Sequence, residues 1–318
     1  MKKIVNILIA VFITMNFFGC DDWTEMENKT FEPAPLPDEY YAALREYKKS
    51  DHALAFGWFG SWSNQGWFGG WDPKAATTGS SLMGIPDSVD IVSIWGPYGS
   101  LTDYQKEDLK YVQEVLGTRV VFTVFSHNMA NLPGKFENIA ENIPAAAQAI
   151  ADTIHKYGYD GIDFDHECST KDLFYKEENM TALLKETRQR IGPDKIIMVD
   201  GFVDLISKEG WDYANFAVSQ AYGASSATRL KQRYDWIKEY IGSNRYIVTE
   251  NFESYAATGG VTFRDPERGE MPSLLGMAYW NPDEGRKGGT GTFHMEYEFA
   301  TDYKYLRQAI QIMNPAKK

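Results

Sequence analysis

Only two cysteines, Cys20 and Cys168, occur in 318 residues, too few for a disulfide framework. Positive charge is also scarce: 32 Lys and Arg stand against 44 Asp and Glu, a formal net charge of −12. No run of Lys and Arg forms a basic patch, which speaks against nucleic-acid binding. Long apolar runs are missing too. The longest, Ile4 to Phe18, falls short of the roughly 20 residues that a membrane-spanning helix needs. The chain has no glycine-rich phosphate turn, no Gly-x-Ser-x-Gly elbow and no zinc-ligand spacing, so no cofactor or metal is called for. What is plentiful is aromatic: 9 Trp, 19 Tyr and 18 Phe make up 14% of positions. With 43% hydrophobic and 24% charged residues, the composition is that of a globular protein.

The first 19 residues combine Lys2 and Lys3 with the apolar run, the pattern of a secretory signal. Gly19-Cys20 resembles a bacterial lipobox, which implies lipidation at Cys20. Asp21-Asp22 resemble the acidic export signal of surface lipoproteins in Bacteroidetes-like bacteria. Those resemblances imply a protein held at the outer membrane by its lipid alone. Residues 20–50 read as a tether containing Pro33, Pro35 and Pro37, followed by a short amphipathic helix from Tyr40 to Lys49. Residues 51–318 remain for one folded domain, expected to act as a monomer.

Within that domain short apolar or aromatic runs recur at Ala53–Trp58, Val89–Trp95, Arg119–Phe125, Gly161–Asp165, Lys195–Val199, Phe216–Tyr222, Tyr246–Thr249 and Leu275–Trp280. Helical segments separate most of them: Thr102–Leu116, Ile139–Tyr157, Leu173–Ile191 and Ala227–Ile241, with Ala300–Ile312 after the last. Alternating strands and helices predict a parallel sheet, and eight strands in this length predict an α/β fold, a single (β/α)8 TIM barrel. Between the fifth and sixth strands only a short helix near Lys208–Tyr213 fits. A doubly wound sheet is the alternative, but its usual phosphate turn is missing.

The stretch Tyr159-Asp160-Gly161-Ile162-Asp163-Phe164-Asp165-His166-Glu167 carries the chemistry. On a strand, Asp163, Asp165 and Glu167 share one face, at about 6.6 Å intervals, and Ile162, Phe164 and His166 share the other. A row of carboxylates repels itself and is costly to bury. It makes sense where neighbours share protons and one carboxyl serves as an acid; a cation site is the competing reading. Asp160, of opposite parity, is expected to be structural.

Asp160 to Glu167 resembles the Asp-x-x-Asp-x-Asp-x-Glu signature of glycoside hydrolase family 18, with all four acidic positions filled. His166 stands where that family usually has Trp or Tyr. The resemblance implies a (β/α)8 barrel with the signature on its fourth strand. It also implies hydrolysis that uses the substrate's own acetamide as nucleophile, an exception to the usual carboxylate pair. On this resemblance Glu167 is the general acid, Asp165 orients the acetamide, and Asp163 lies deeper, coupled to Asp165. Tyr222 would bond the acetamide oxygen with Gln220 beside it, a pairing closer to endo-β-N-acetylglucosaminidases than to chitinases. Trp280 would form the floor under the sugar, and Trp58 leads a cluster with Trp62, Trp67 and Trp71 able to stack on glycan rings. His127, Asn128, Asp200, Glu250, Asn251 and Glu253 are weaker candidates for sugar hydroxyls. The expected partner is an N-linked glycan or another GlcNAc-containing oligosaccharide, with a chitinase or a non-catalytic glycan-binding barrel as alternatives.

Overall fold

The computed structural model describes residues 36–60, 62 and 81–316. The expected signal, Cys20, most of the tether, Trp67 and Trp71 lie outside them. The first element is helix α1 (Asp38–Lys49). Seven barrel strands then follow in order: β1 (Leu54–Phe59), β2 (Ile91–Ile94), β3 (Arg119–Phe125), β4 (Gly161–His166), β5 (Ile196–Gly201), β6 (Phe216–Ser219) and β7 (Tyr246–Asn251). A two-stranded hairpin, β8 (Thr262–Asp265) with β9 (Gly269–Pro272), precedes the last barrel strand, β10 (Gly289–Phe293). Pairing is parallel throughout the barrel, and β10 closes it between β7 and β1.

The helices on the outside are α2 (Asp103–Glu114), α3 (Ile143–Tyr157), α4 (Glu177–Ile191), α5 (Ala227–Asp235), the short α6 (Phe252–Tyr255) and α7 (Ser273–Tyr279), and α8 (Lys304–Met313). Local chemistry explains their starts. Thr102 caps α2 in a complete capping box with Gln105. Pro144 sits in the first turn of α3, and Gly158 ends that helix in the left-handed conformation. The β5–β6 connection holds only two short 3₁₀ turns, Val203–Leu205 and Gly210–Asp212, as its tight spacing requires.

The eighth strand differs from expectation. Leu275–Trp280 is not a strand; its residues form most of helix α7, with Trp280 as the C-cap. A short, wholly apolar run cannot by itself distinguish a buried strand from a buried helix, and Leu, Met and Ala favour the helix. The true strand, Gly289-Thr290-Gly291-Thr292-Phe293, is almost free of large apolar residues. Its glycines are there for space: a Cβ on Gly289 or Gly291 would come within 2.1 Å of the Leu54 or Phe56 carbonyl oxygen.

Alternation along the strands sorts side chains into two compartments. Phe56, Trp58, Ile91, Val121, Met198, Val218 and Ile247 fill the barrel, while Ile162, Phe164, Val199 and Val248 face the helix layer. The acidic face of β4 therefore points into the barrel, as its parity predicted. Among the described residues no helix is long and apolar enough to cross a membrane.

Candidate active site

At the C-terminal mouth of the barrel a cleft of about 220 Å³ is lined by Trp58, Trp95, Phe125, Asp165, Glu167, Asp200, Gln220, Tyr222 and Phe293. Asp163 lies directly beneath it and is fully buried. Its Oδ2 accepts the indole N–H of Trp58 at 2.8 Å and the hydroxyl of Thr123 at 3.3 Å, and Thr123 in turn contacts Ser93 at 2.6 Å. Burial pushes the Asp163 carboxyl up to about 6, and these donors hold it from going higher. Asp165 has no such donors. Burial, with the charges of Glu167 and Asp163, pushes it up to about 8.

Glu167 follows the last residue of β4 and is exposed at the rim. Gly201, at φ 84°, gives it room: a Cβ there would lie 3.0 Å from the Glu167 Cγ and 2.9 Å from the His166 carbonyl oxygen. Tyr222 closes the cleft from the β6 side. Burial first, and then the carboxylates around it, raise its phenol, so the hydroxyl remains a proton donor. Gln220 lies beside it, but its amide donates to Oδ2 of Asp200 at 2.8 Å. Asp200 is paired in register with Asp165 on the neighbouring strand. Burial, then Asp163 and Asp165, hold its carboxyl well above the ordinary range.

The cleft thus unites Glu167, Asp165, Gln220, Tyr222 and Trp58, with Asp163 below. Trp280 is elsewhere. It packs 6.5 Å from Tyr246, the first residue of β7, so it belongs to the opposite end of the barrel. The cleft is lined instead by Phe293, the last residue of the true eighth strand, whose ring meets Trp95 at 5.0 Å and Tyr222 at 6.2 Å. Trp95 and Phe125, themselves 5.2 Å apart edge to face, complete an aromatic collar. Both ended predicted strands, which was the available signal for them. Phe293 had none, because its strand went unrecognised.

The weaker candidates divide. Asn128 and Asn251 are used as turn and helix caps. Glu250 is buried and holds the Gly223 and Asn251 amides and the Ser273 hydroxyl. Trp62 donates to buried Asp108 and belongs to the outer core. Asp160 is structural as expected, accepting from the Val120 amide and Gln113. Cys168 does lie 3.5 Å from Nδ1 of His166, yet burial pushes the thiol up to about 12 and the imidazole down to about 4. A neutral thiol beside a neutral imidazole is no nucleophile pair.

The sequence matches the family model for glycoside hydrolase family 18, BT1044-like, over residues 19–136 and 125–312. It is 26% identical over 300 residues to endo-β-N-acetylglucosaminidase F2 of Elizabethkingia meningoseptica, covering 86% of this chain and 85% of the relative. A solved structure described as BT1044 superposes with a TM-score of 0.75 at 31% identity, covering 87% of this chain and 93% of that one. An endo-β-N-acetylglucosaminidase from Cordyceps militaris, solved with fucosyl-N-acetylglucosamine-Asn, shares the fold at a TM-score of 0.70 and 22% identity, covering 88% and 97%. Seen beside the acidic row of β4 at the mouth of an eight-stranded barrel, the match is decisive: the chain belongs to glycoside hydrolase family 18 and is a glycoside hydrolase.

Proposed function

We propose that this hydrolase is an endo-β-N-acetylglucosaminidase that cuts the GlcNAc-β1,4-GlcNAc core of N-glycans with retention of configuration. The observation that carries the reading is the convergence of Asp165, Glu167 and Tyr222 on one cleft, with Asp163 beneath. In the first step Glu167 protonates the leaving glycosidic oxygen as its bond to C1 breaks. The carbonyl oxygen of the sugar's 2-acetamido group attacks C1 from the opposite face, giving an oxazolinium ion. Ionised Asp165 accepts the acetamide N–H and balances the new positive charge. The Tyr222 hydroxyl donates to the acetamide oxygen and aims it. Water then attacks C1, Glu167 takes its proton, and the acetamide is released.

Support for internal cleavage of a branched glycan comes from the walls of the cleft. Between β7 and β10 the chain places only α6, the hairpin and α7, without an inserted α+β domain of the kind that encloses many chitinase clefts. Similarity to the F2 endoglycosidase points the same way. Incubation with an N-glycoprotein should release glycan and leave a single GlcNAc on the protein, and Glu167→Gln should abolish this. Cleavage of chitin oligomers with no glycan release would replace the reading with a chitinase. Binding without turnover in both forms would make the protein a glycan binder.

We also propose that the enzyme works as a monomer anchored at the outer membrane through Cys20, which would hold it where extracellular glycans arrive. In the native host, Cys20→Ser should move the activity from the membrane to the soluble fraction. Retention in the membrane fraction would refute the anchor.

A further inference from the structure

Three buried carboxyls cluster at the base of the cleft, Asp165 and Asp200 lining it and Asp163 beneath, and no Lys or Arg lines it among the described residues. Asp165 and Asp200 are register partners on β4 and β5, and Asp200 lies within hydrogen-bonding reach of Asp163. One oxygen of each, Oδ1 of Asp163, Asp165 and Asp200, is buried without a donor from any other side chain or amide. Ionised carboxylates only accept, so oxygens packed in this way satisfy one another only when protons lie between them. Nor do three His, Cys, Asp or Glu side chains converge in the manner of a metal site among the described residues.

The remaining oxygens show where the charge rests. Asp163 Oδ2 receives both an indole N–H and a hydroxyl, which favours its ionised form. Asp200 Oδ2 receives one amide N–H, from Gln220. We propose that Asp200 is a positioning residue that stands protonated and donates to Asp163, making Asp163, Asp165 and Asp200 a unit of two protons and one negative charge. This rests on the substrate-assisted reading. In the empty site the charge sits on Asp163. On the substrate-assisted reading the charge lies on Asp165 once an acetamide is bound; what Asp200 adds is a donor that keeps its own proton in both states. No proton enters or leaves.

The groups facing Asp200 are Asp163, Asp165 and Glu167 from β4 and its loop, and Gln220 and Tyr222 from β6. Burial raises all three carboxyls, and Asp163, which receives the indole and hydroxyl donors, is raised less than Asp165. The role also accounts for Gln220, whose amide is engaged with Asp200 and held in the orientation it presents to the cleft.

The acid limb of kcat/KM reports loss of the unit's single charge, because the fully protonated unit leaves Asp165 neutral. Asp200→Ala removes a donor to that charge and should move the acid limb up by about one pH unit, a tenfold loss on that limb. Asp200→Asn restores an N–H donor and should return the limb to its wild-type position. An unmoved limb in Asp200→Ala, or an equal shift in both variants, would overturn the proposal. A substrate-free readout separates this from the assigned activity. The infrared carbonyl absorption of protonated carboxyls at pH 7.5 should be present in wild type and reduced in Asp200→Asn. An unchanged band would refute the protonated Asp200 whether or not the enzyme proves to cleave N-glycans.

Discussion

The indole N–H of Trp58 donates to Oδ2 of Asp163 at 2.8 Å, tying the first strand of the barrel to the fourth. Trp58 is fully buried apart from the edge it offers to the cleft, so its main electrostatic partner is a carboxylate. Trp58→Phe keeps a ring in the barrel and deletes that donor. The charge on Asp163 then loses support, and its carboxyl should rise further above the present value of about 6. Activity at pH 5 should fall about tenfold relative to wild type, in line with a lost hydrogen bond to a charged group, with a smaller loss at pH 8. A pH profile of kcat/KM decides the matter. A loss uniform across pH would make Trp58 a sugar contact and nothing more.

Tyr222 offers a donor that is needed only as the acetamide attacks. Its hydroxyl is held protonated by burial and by the carboxylates around it. Tyr222→Phe should therefore reduce kcat about 10- to 100-fold and change KM less, the pattern of an interaction that strengthens in the transition state. Steady-state kinetics on a defined glycopeptide separate the two parameters. A rise in KM at constant kcat would assign Tyr222 to ground-state binding instead.

Much of this site could be read from the chain itself because strand parity is a strict rule. Asp163, Asp165 and Glu167 had to share a face, and a row of acids climbing out of a barrel core has few uses. Asp200 was visible only as one polar residue at a strand end. Its importance comes from register with Asp165, a relation between strands 35 residues apart that no local pattern encodes. The eighth strand was lost for a different reason. Apolar content is the usual signal for a buried strand, and β10 replaces it with glycine because its neighbours approach too closely for side chains. The run taken for it, Leu275–Trp280, is apolar because it lies on a helix whose Gly276, Met277 and Ala278 pack onto the outside of the barrel.

That misplacement makes a direct comparison. Phe293→Ala opens the aromatic collar where Trp95 and Tyr222 meet it, and should lower kcat/KM about tenfold, as expected for removing a packed aromatic contact of about 1.4 kcal/mol. Trp280→Phe acts at the other end of the barrel, beside Tyr246, and should leave kcat/KM within about twofold while lowering thermal stability by about 1 kcal/mol. If Trp280→Phe were the variant that lost activity, the placement of the eighth strand would be wrong.

The clustered acids should also cost the fold stability at alkaline pH. Asp165 is raised to about 8, by burial first and then by the charges of Glu167 and Asp163. The native state therefore binds its proton more tightly than the unfolded chain does, whose Asp titrates near 4. Stability from this group is complete below pH 4 and drains away as pH climbs from 4 through 8. Asp165→Asn replaces the titrating group with a neutral one of the same shape. The variant should unfold at a higher temperature than wild type at pH 8, by about 5 °C for a difference on the order of 2 kcal/mol. Its advantage should shrink as pH falls to 5, where the wild-type carboxyl is protonated as well. Turnover should be lost at both pH values, because the neutral amide cannot balance an oxazolinium ion. Thermal unfolding followed at the two pH values tests the argument: a variant no more stable than wild type at pH 8 would mean that the charge on Asp165 is not costly to the fold, and that the site holds it without strain.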